Sequence, residues 1–262
     1  MQREQAEAIL REAGELALSY FSQRASLRVE RKARQDLVSE ADRNVESLIR
    51  RRIQALCPDD GLFGEEFGLA ATSRSHGGAA CVWVIDPIDG TTNFLRGIPE
   101  FAITLCRVTD GGPDMGLIYH PLRREMLFAA KGQGACRNGV RYQIESTPVT
   151  ADNAVLGLGY NLKSDNAQRA ISIMGRWTEA GCVTRQTGSA AVGLSQAIIG
   201  LTDGFYEPQL NSWDALAGQL IATEAGLRSS TFLCGERLTR GGPVWIARPE
   251  LFDLVREEET AW

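Results

Sequence analysis

The chain has 262 residues, with 33 acidic and 28 basic side chains, a formal charge of −5 and two histidines. This composition suits a soluble globular protein with one or two buried cores, and it offers no focused basic footprint for nucleic acid. No apolar run approaches the ~20 residues that span a bilayer, and Glu4, Glu7, Glu12 and Glu15 argue against a secretory signal or an acid-poor transit peptide.

In chain order, Ala6, Ile9, Leu10, Ala13, Leu16, Ala17, Tyr20 and Phe21 recur at three- and four-residue intervals and predict an amphipathic helix. A second helix is expected from Ser39, a hydroxyl cap, with Ala41, Val45, Leu48, Ile49, Ile53 and Leu56 on one face until Pro58. The arginines at 50–52 read as a solvated face of that helix. The first strong strand covers 81–86, followed by apolar segments at 101–108, 115–119 and 126–130. Their separators, Asp110-Gly111-Gly112-Pro113 and a stretch with Gly132, Gly134 and Asn138-Gly139, suit antiparallel connections.

After Pro148 the pattern alternates. Strands are expected near Val155, Cys182, Phe205 and Val244, and helices at 167–180, after Gly188, at 213–225 and from Pro249. Two closely packed lobes, 1–147 and 148–262, are expected, with the boundary near 145–150. The cysteines at 57, 81, 106, 136, 182 and 234 lack a C-x-x-C and read as reduced cytoplasmic thiols, not a disulfide framework or zinc site. With His76 and His120 as the two imidazoles, any metal centre must rest on oxygen ligands, which points to magnesium, manganese or calcium. His76 reads as a solvated loop residue, His120 as a strand-end hydrogen bonder, and Trp83, Trp213 and Trp245 as core.

Chemistry concentrates in Val82-Trp83-Val84-Ile85-Asp86-Pro87-Ile88-Asp89-Gly90-Thr91-Thr92-Asn93. An apolar strand delivers Asp86 to its end, and Pro87 and Gly90 are expected to force a turn that returns Asp89 beside it. Two carboxylates so close need a cation. Gly90 allows close backbone approach, while Thr91 and Thr92 open a helix or turn whose free N–H groups suit a phosphate. A plain Asx turn remains the alternative for the short motif alone. Likewise Glu65 and Glu66 in Gly64-Glu65-Glu66-Phe67-Gly68 read alone as a solvated loop, and Asp214 as a helix cap or dipole partner. Together the three acidic elements supply the hard oxygen ligands a magnesium centre requires. The chain lacks G-x-x-x-x-G-K-[ST], G-x-S-x-G and a histidine followed by cysteine, so no covalent nucleophile is indicated.

The strings GEEFG, WVIDPIDGTTNF and WDALAGQLIATEAG, in this order and spacing, resemble the inositol monophosphatase family of lithium-sensitive, magnesium-dependent phosphatases. The resemblance runs from the QDLVSEAD segment to Gly226. It implies a layered α/β/α/β/α sandwich of the inositol monophosphatase and fructose-1,6-bisphosphatase type, a cytoplasmic homodimer, and hydrolysis of a small phosphate ester by water activated on two or three Mg2+ ions, with Mn2+ a possible substitute. It implies that Glu65, Asp86 and the carbonyl of Ile88 hold one ion and that Asp86, Asp89 and Asp214 hold another. Thr91 and Glu65 would orient and deprotonate the water, with Lys32 near the metals. Asp89, Gly90, Thr91, Ser189, Ala190 and Glu207 would contact substrate. Phe67, Arg96 and Leu227-Arg228 depart from the commonest family pattern on the substrate side. Inositol monophosphate is the expected substrate. Histidinol phosphate, fructose bisphosphate, 3'-phosphoadenosine nucleotides and a non-catalytic regulatory role stand as alternatives.

Overall fold

The computed structural model describes residues 1–33, 36–70, 81–109, 112–145, 148–161 and 165–256, apart from the side chains of 31–33, 36–38 and 70. His76 and the side chain of Lys32 therefore lie outside the described residues. The first part of the chain runs α1 (Arg3–Ser22), β1 (Val29–Ala33), β2 (Asp36–Ser39), α2 (Glu40–Leu56), β3 (Gly61–Gly64), β4 (Gly68–Ala70), β5 (Cys81–Asp89), α3 (Thr91–Arg96), β6 (Ala102–Thr109), β7 (Gly112–His120), β8 (Glu125–Ala130), β9 (Gly134–Arg137) and β10 (Val140–Tyr142). The second part runs β11 (Val155–Leu158), α4 (Asn166–Glu179), β12 (Val183–Arg185), α5 (Ala190–Ile198), β13 (Gly204–Leu210), α6 (Ser212–Ala225), β14 (Arg228–Ser229), α7 (Arg237–Arg240), β15 (Gly242–Ala247) and α8 (Phe252–Val255).

Among the described residues, an eight-stranded sheet has the order β10-β9-β8-β7-β6-β5-β3-β4, and a five-stranded sheet the order β12-β11-β13-β15-β14. Side chains alternate across each strand, so the central strands feed two cores. Trp83 and Ile85 of β5 pack with Ile9, Leu10, Val45 and Ile49 of α1 and α2, whereas Val84 faces the other way, towards α5 and α6. Phe205 and Ile246 of the smaller sheet close that middle layer from the far side. Tyr206 and Trp245 point outward to Ile173 and Trp177 of α4. The result is the expected α/β/α/β/α sandwich. Small residues let its layers approach: a Cβ on Gly116 of β7 would lie 3.0 Å from the Ala217 carbonyl of α6.

Ser39 caps α2 as expected, its Oγ accepting from the Ala41 N–H at 3.1 Å while Asp42 completes a capping box. Several details differ from the sequence reading. Two hairpins, β1–β2 and β3–β4, precede β5, because their strands are too short for a periodic signal. Leu56 is 45% exposed at the last turn of α2. Arg50 is buried, not solvated. The terminal helix is a 3-10 turn, Pro249–Leu251, followed by the single turn of α8. Trp83 and Trp245 are buried and Trp213 partly so, while His120 Nε2 sits 2.9 Å from Ser195 Oγ. All six cysteines are free thiols. No helix among the described residues is long and apolar enough to cross a membrane.

Candidate metal centre

In a regular strand, residues three apart point to opposite faces, so Asp86 and Asp89 should diverge. The structure resolves this with a bulge, not the turn expected from Pro87. β5 continues through Asp89, and the three steps from Asp86 to Asp89 oppose only two on β6, from Thr104 to Ala102. The extra residue brings both carboxylates to one side. Pro87 sits in the bulge, where its missing N–H breaks no ladder bond.

Asp214 arrives from α6 and meets them. One ligand oxygen from each of Asp86, Asp89 and Asp214 lies within 4.8 Å of the others. Asp214 also accepts from the Asn211 N–H at 2.9 Å, so its capping role and its place in the cluster coexist. Glu65 follows β3, and its N–H donates to the Ile85 carbonyl at 3.3 Å. Its charge acts on Asp86. Asp89 accepts from the Ala191 N–H at 2.5 Å and from the Ser189 hydroxyl at the start of α5.

These groups crowd negative charge where water is scarce. Burial, then Glu65, Asp89 and Asp214, raise the Asp86 pKa well above the ordinary carboxylate range. Burial and Asp214 push Asp89 up to about 7, against the opposing hydrogen bonds from Ser189, Ala191 and Ala190. Glu207 is likewise raised by burial, Asp214 and Asp89. Clustered oxygen donors that repel one another this strongly fit a divalent cation.

Above the cluster lies a cavity of about 490 Å³, lined by Glu65, Asp89, Ser189, Ala190, Glu207 and Asp214, among others. Gly90 and Thr91 do not line it, although their neighbours Thr92 and Asn93 do. Gly90, at φ 98°, starts α3, and the Thr91 hydroxyl lies 3.0 Å from Asp42 Oδ1 and 3.2 Å from the Ile88 carbonyl. Asn93 donates to the carbonyls of Glu100 at 2.7 Å and Thr187 at 2.8 Å, which fixes the loop ahead of Ser189. Sequence reasoning passed over Asp42, Glu46 and Asn93. The first two carried a usable signal, being acidic residues four apart on the face that carries Ala41, Val45, Ile49 and Ile53.

Fold and cluster together define a layered α/β/α/β/α sandwich with a carboxylate centre at the base of its cleft. The model of the inositol monophosphatase family matches residues 2–255, and the chain belongs to that family. Nus factor SuhB of Escherichia coli K12 is 33% identical over 243 residues, covering 92% of this chain and 89% of its own. The extragenic suppressor protein SuhB of Bartonella henselae superposes with a TM-score of 0.87 at 27% identity, covering 96% and 95% of the two chains. SaIMPase-II, solved with inositol monophosphate bound, gives a TM-score of 0.74 at 25% identity over 94% of this chain and 88% of that one.

Proposed function

We propose that this protein is a magnesium-dependent phosphomonoesterase acting on a small polyol phosphate, with inositol monophosphate the favoured substrate. The observation that carries the reading is the convergence of Asp86, Asp89 and Asp214 under an open cavity, with Glu65 beside them. In this reading Glu65, Asp86, Asp89, Asp214 and the Ile88 carbonyl hold two or three ions. When bound, Mg2+ neutralises phosphoryl charge and lowers the pKa of water. The residues supply the rest. Thr91, oriented by Asp42, has a single proton to donate; spent on Asp42, it leaves the oxygen lone pairs to accept from the attacking water. Glu65 takes that proton, and the start of α3, where Thr92 and Asn93 line the cavity behind the backbone of Gly90 and Thr91, holds phosphate. Ser189, Ala190 and Glu207 line the alcohol side, and SaIMPase-II with inositol monophosphate bound supports that substrate class. The lobes 1–147 and 148–262 contribute Asp86 and Asp214 respectively, in a cytoplasmic homodimer.

A panel of phosphomonoesters with Mg2+, ranked by kcat/KM, tests this reading. Inositol monophosphate should lead histidinol phosphate, fructose bisphosphate and 3'-phosphoadenosine nucleotides, and metal-independent turnover of a non-phosphate ester would exclude the mechanism. The name Nus factor borne by the relative from Escherichia coli supports a second reading, a regulatory role. Retention of that role by an Asp86→Asn protein would separate it from catalysis.

The charge crowding sets a pH dependence. Asp89 keeps its proton in the fold up to about 7, against an ordinary value of 3.8. Between those values the folded state binds more protons than the unfolded state, so this group lowers stability as pH rises through the window. Mg2+ competes with those protons. The rise in Tm on adding Mg2+ should therefore be small at a pH of about 5 and large at about 8; equal gains at both would contradict the assignment.

A further inference from the structure

The loop that carries Glu65 is held by a buried ion pair on α2. Glu46 of α2 is fully buried, and its Oε2 accepts from the Glu66 N–H at 2.7 Å. Its Oε1 accepts from Arg50 Nε at 2.7 Å, one helical turn on. Arg50 also donates through Nη2 to the Gly68 carbonyl at 2.6 Å, and its guanidinium lies 5.6 Å from the centre of the Phe67 ring. The turn 65–67 is thus tied at both ends to one helix, while the Glu65 N–H is tied to β5. Gly64 makes room for this: a Cβ there would stand 2.1 Å from Glu46 Oε1. The Gly64 backbone is not in the left-handed region, so the conflict is purely steric.

We propose that Glu46 and Arg50 are positioning residues that preset Glu65 for metal binding. The inference rests on the metal-centre reading and goes beyond it. A carboxylate on a short turn must otherwise lose conformational freedom on binding a cation, and fixing the backbone on both sides beforehand removes that cost. Arg50 supplies the countercharge to Glu46 in the interior, next to a site already rich in carboxylates. Lysine would preserve the charge but could not serve both Glu46 and the Gly68 carbonyl with a planar fork.

Mn2+ titration of metal-free protein by calorimetry, with folding checked by circular dichroism, tests this without relying on turnover. Arg50→Met and Gly64→Ala should each weaken Mn2+ binding by about tenfold, with Arg50→Lys between them and the wild type. The Mg2+ concentration for half-maximal activity should rise by the same factor, while kcat at saturating Mg2+ stays within about twofold. If Arg50→Met does not fold, Gly64→Ala decides, since it displaces Glu46 without removing a charge. Folded variants with unchanged Mn2+ affinity, or with lowered kcat and unchanged affinity, would overturn the proposal. A wild-type protein that binds neither Mn2+ nor Mg2+ would instead remove the metal reading on which it rests.

Discussion

Replacing Asp86 with asparagine is expected to abolish phosphate release while making the metal-free fold more stable. The carboxyl is 1% exposed, it is raised by burial and by three acidic neighbours, and it accepts from the Ile88 N–H at 3.0 Å. An amide oxygen can keep that last bond. What disappears is the charge shared with Asp89 and Asp214, so the repulsion in the metal-free protein falls and the attraction for cations falls with it. A loss of roughly 4 kcal/mol of transition-state stabilisation corresponds to about a thousandfold in kcat/KM. Thermal denaturation with EDTA should show a higher Tm than wild type, and added Mg2+ should no longer raise it. A variant with wild-type turnover would show that the cluster does not serve catalysis.

The next largest effect is expected from Thr91→Val, which keeps the shape of the side chain and removes the hydroxyl that joins Asp42 to the Ile88 carbonyl. If that hydroxyl orients the attacking water, kcat should fall by about a hundredfold or more, while Mg2+ affinity stays near wild type. Asp42→Asn should produce a similar loss. Burial raises the Asp42 pKa, against hydrogen bonds from Ser39 and Thr91. Stopped assays at saturating Mg2+, paired with calorimetric Mg2+ titration, separate the two quantities. Loss of metal affinity with unchanged kcat would place Thr91 among the ligand supports and not with the water.

Much of the site was legible because the acidic strings are local and dense. The DPIDGTTN segment shows two carboxylates near a glycine, and Asp214 opens a helix of small residues. The small residues of that helix have a spatial reason: α6 lies against the larger sheet and against α5, where the Cβ of a residue replacing Gly218 would meet Leu194 at 2.7 Å. Less legible was the role of the arginine run at 50–52. Charge alone suggests solvent for all three, yet Arg50 turns inward because Glu46, one helical turn earlier, is there to pair with it. Arg52 stays outside with Glu12 at 2.6 Å.

The sequence by itself determined the kinds of ligand, the helices with clear periodicity and the family. Hard oxygen chemistry follows from composition, and a 3.6-residue repeat is local information. Only the tertiary structure decided how the carboxylates meet. Asp86 and Asp89 share a side because β5 gains one residue over β6, a register that depends on a neighbouring strand. Asp214 joins them because α6 is held between two sheets, and Glu65 lies beside them because a buried pair on α2 grips its turn. Pairing register and burial are set by partners distant along the chain, and no short window of residues contains them.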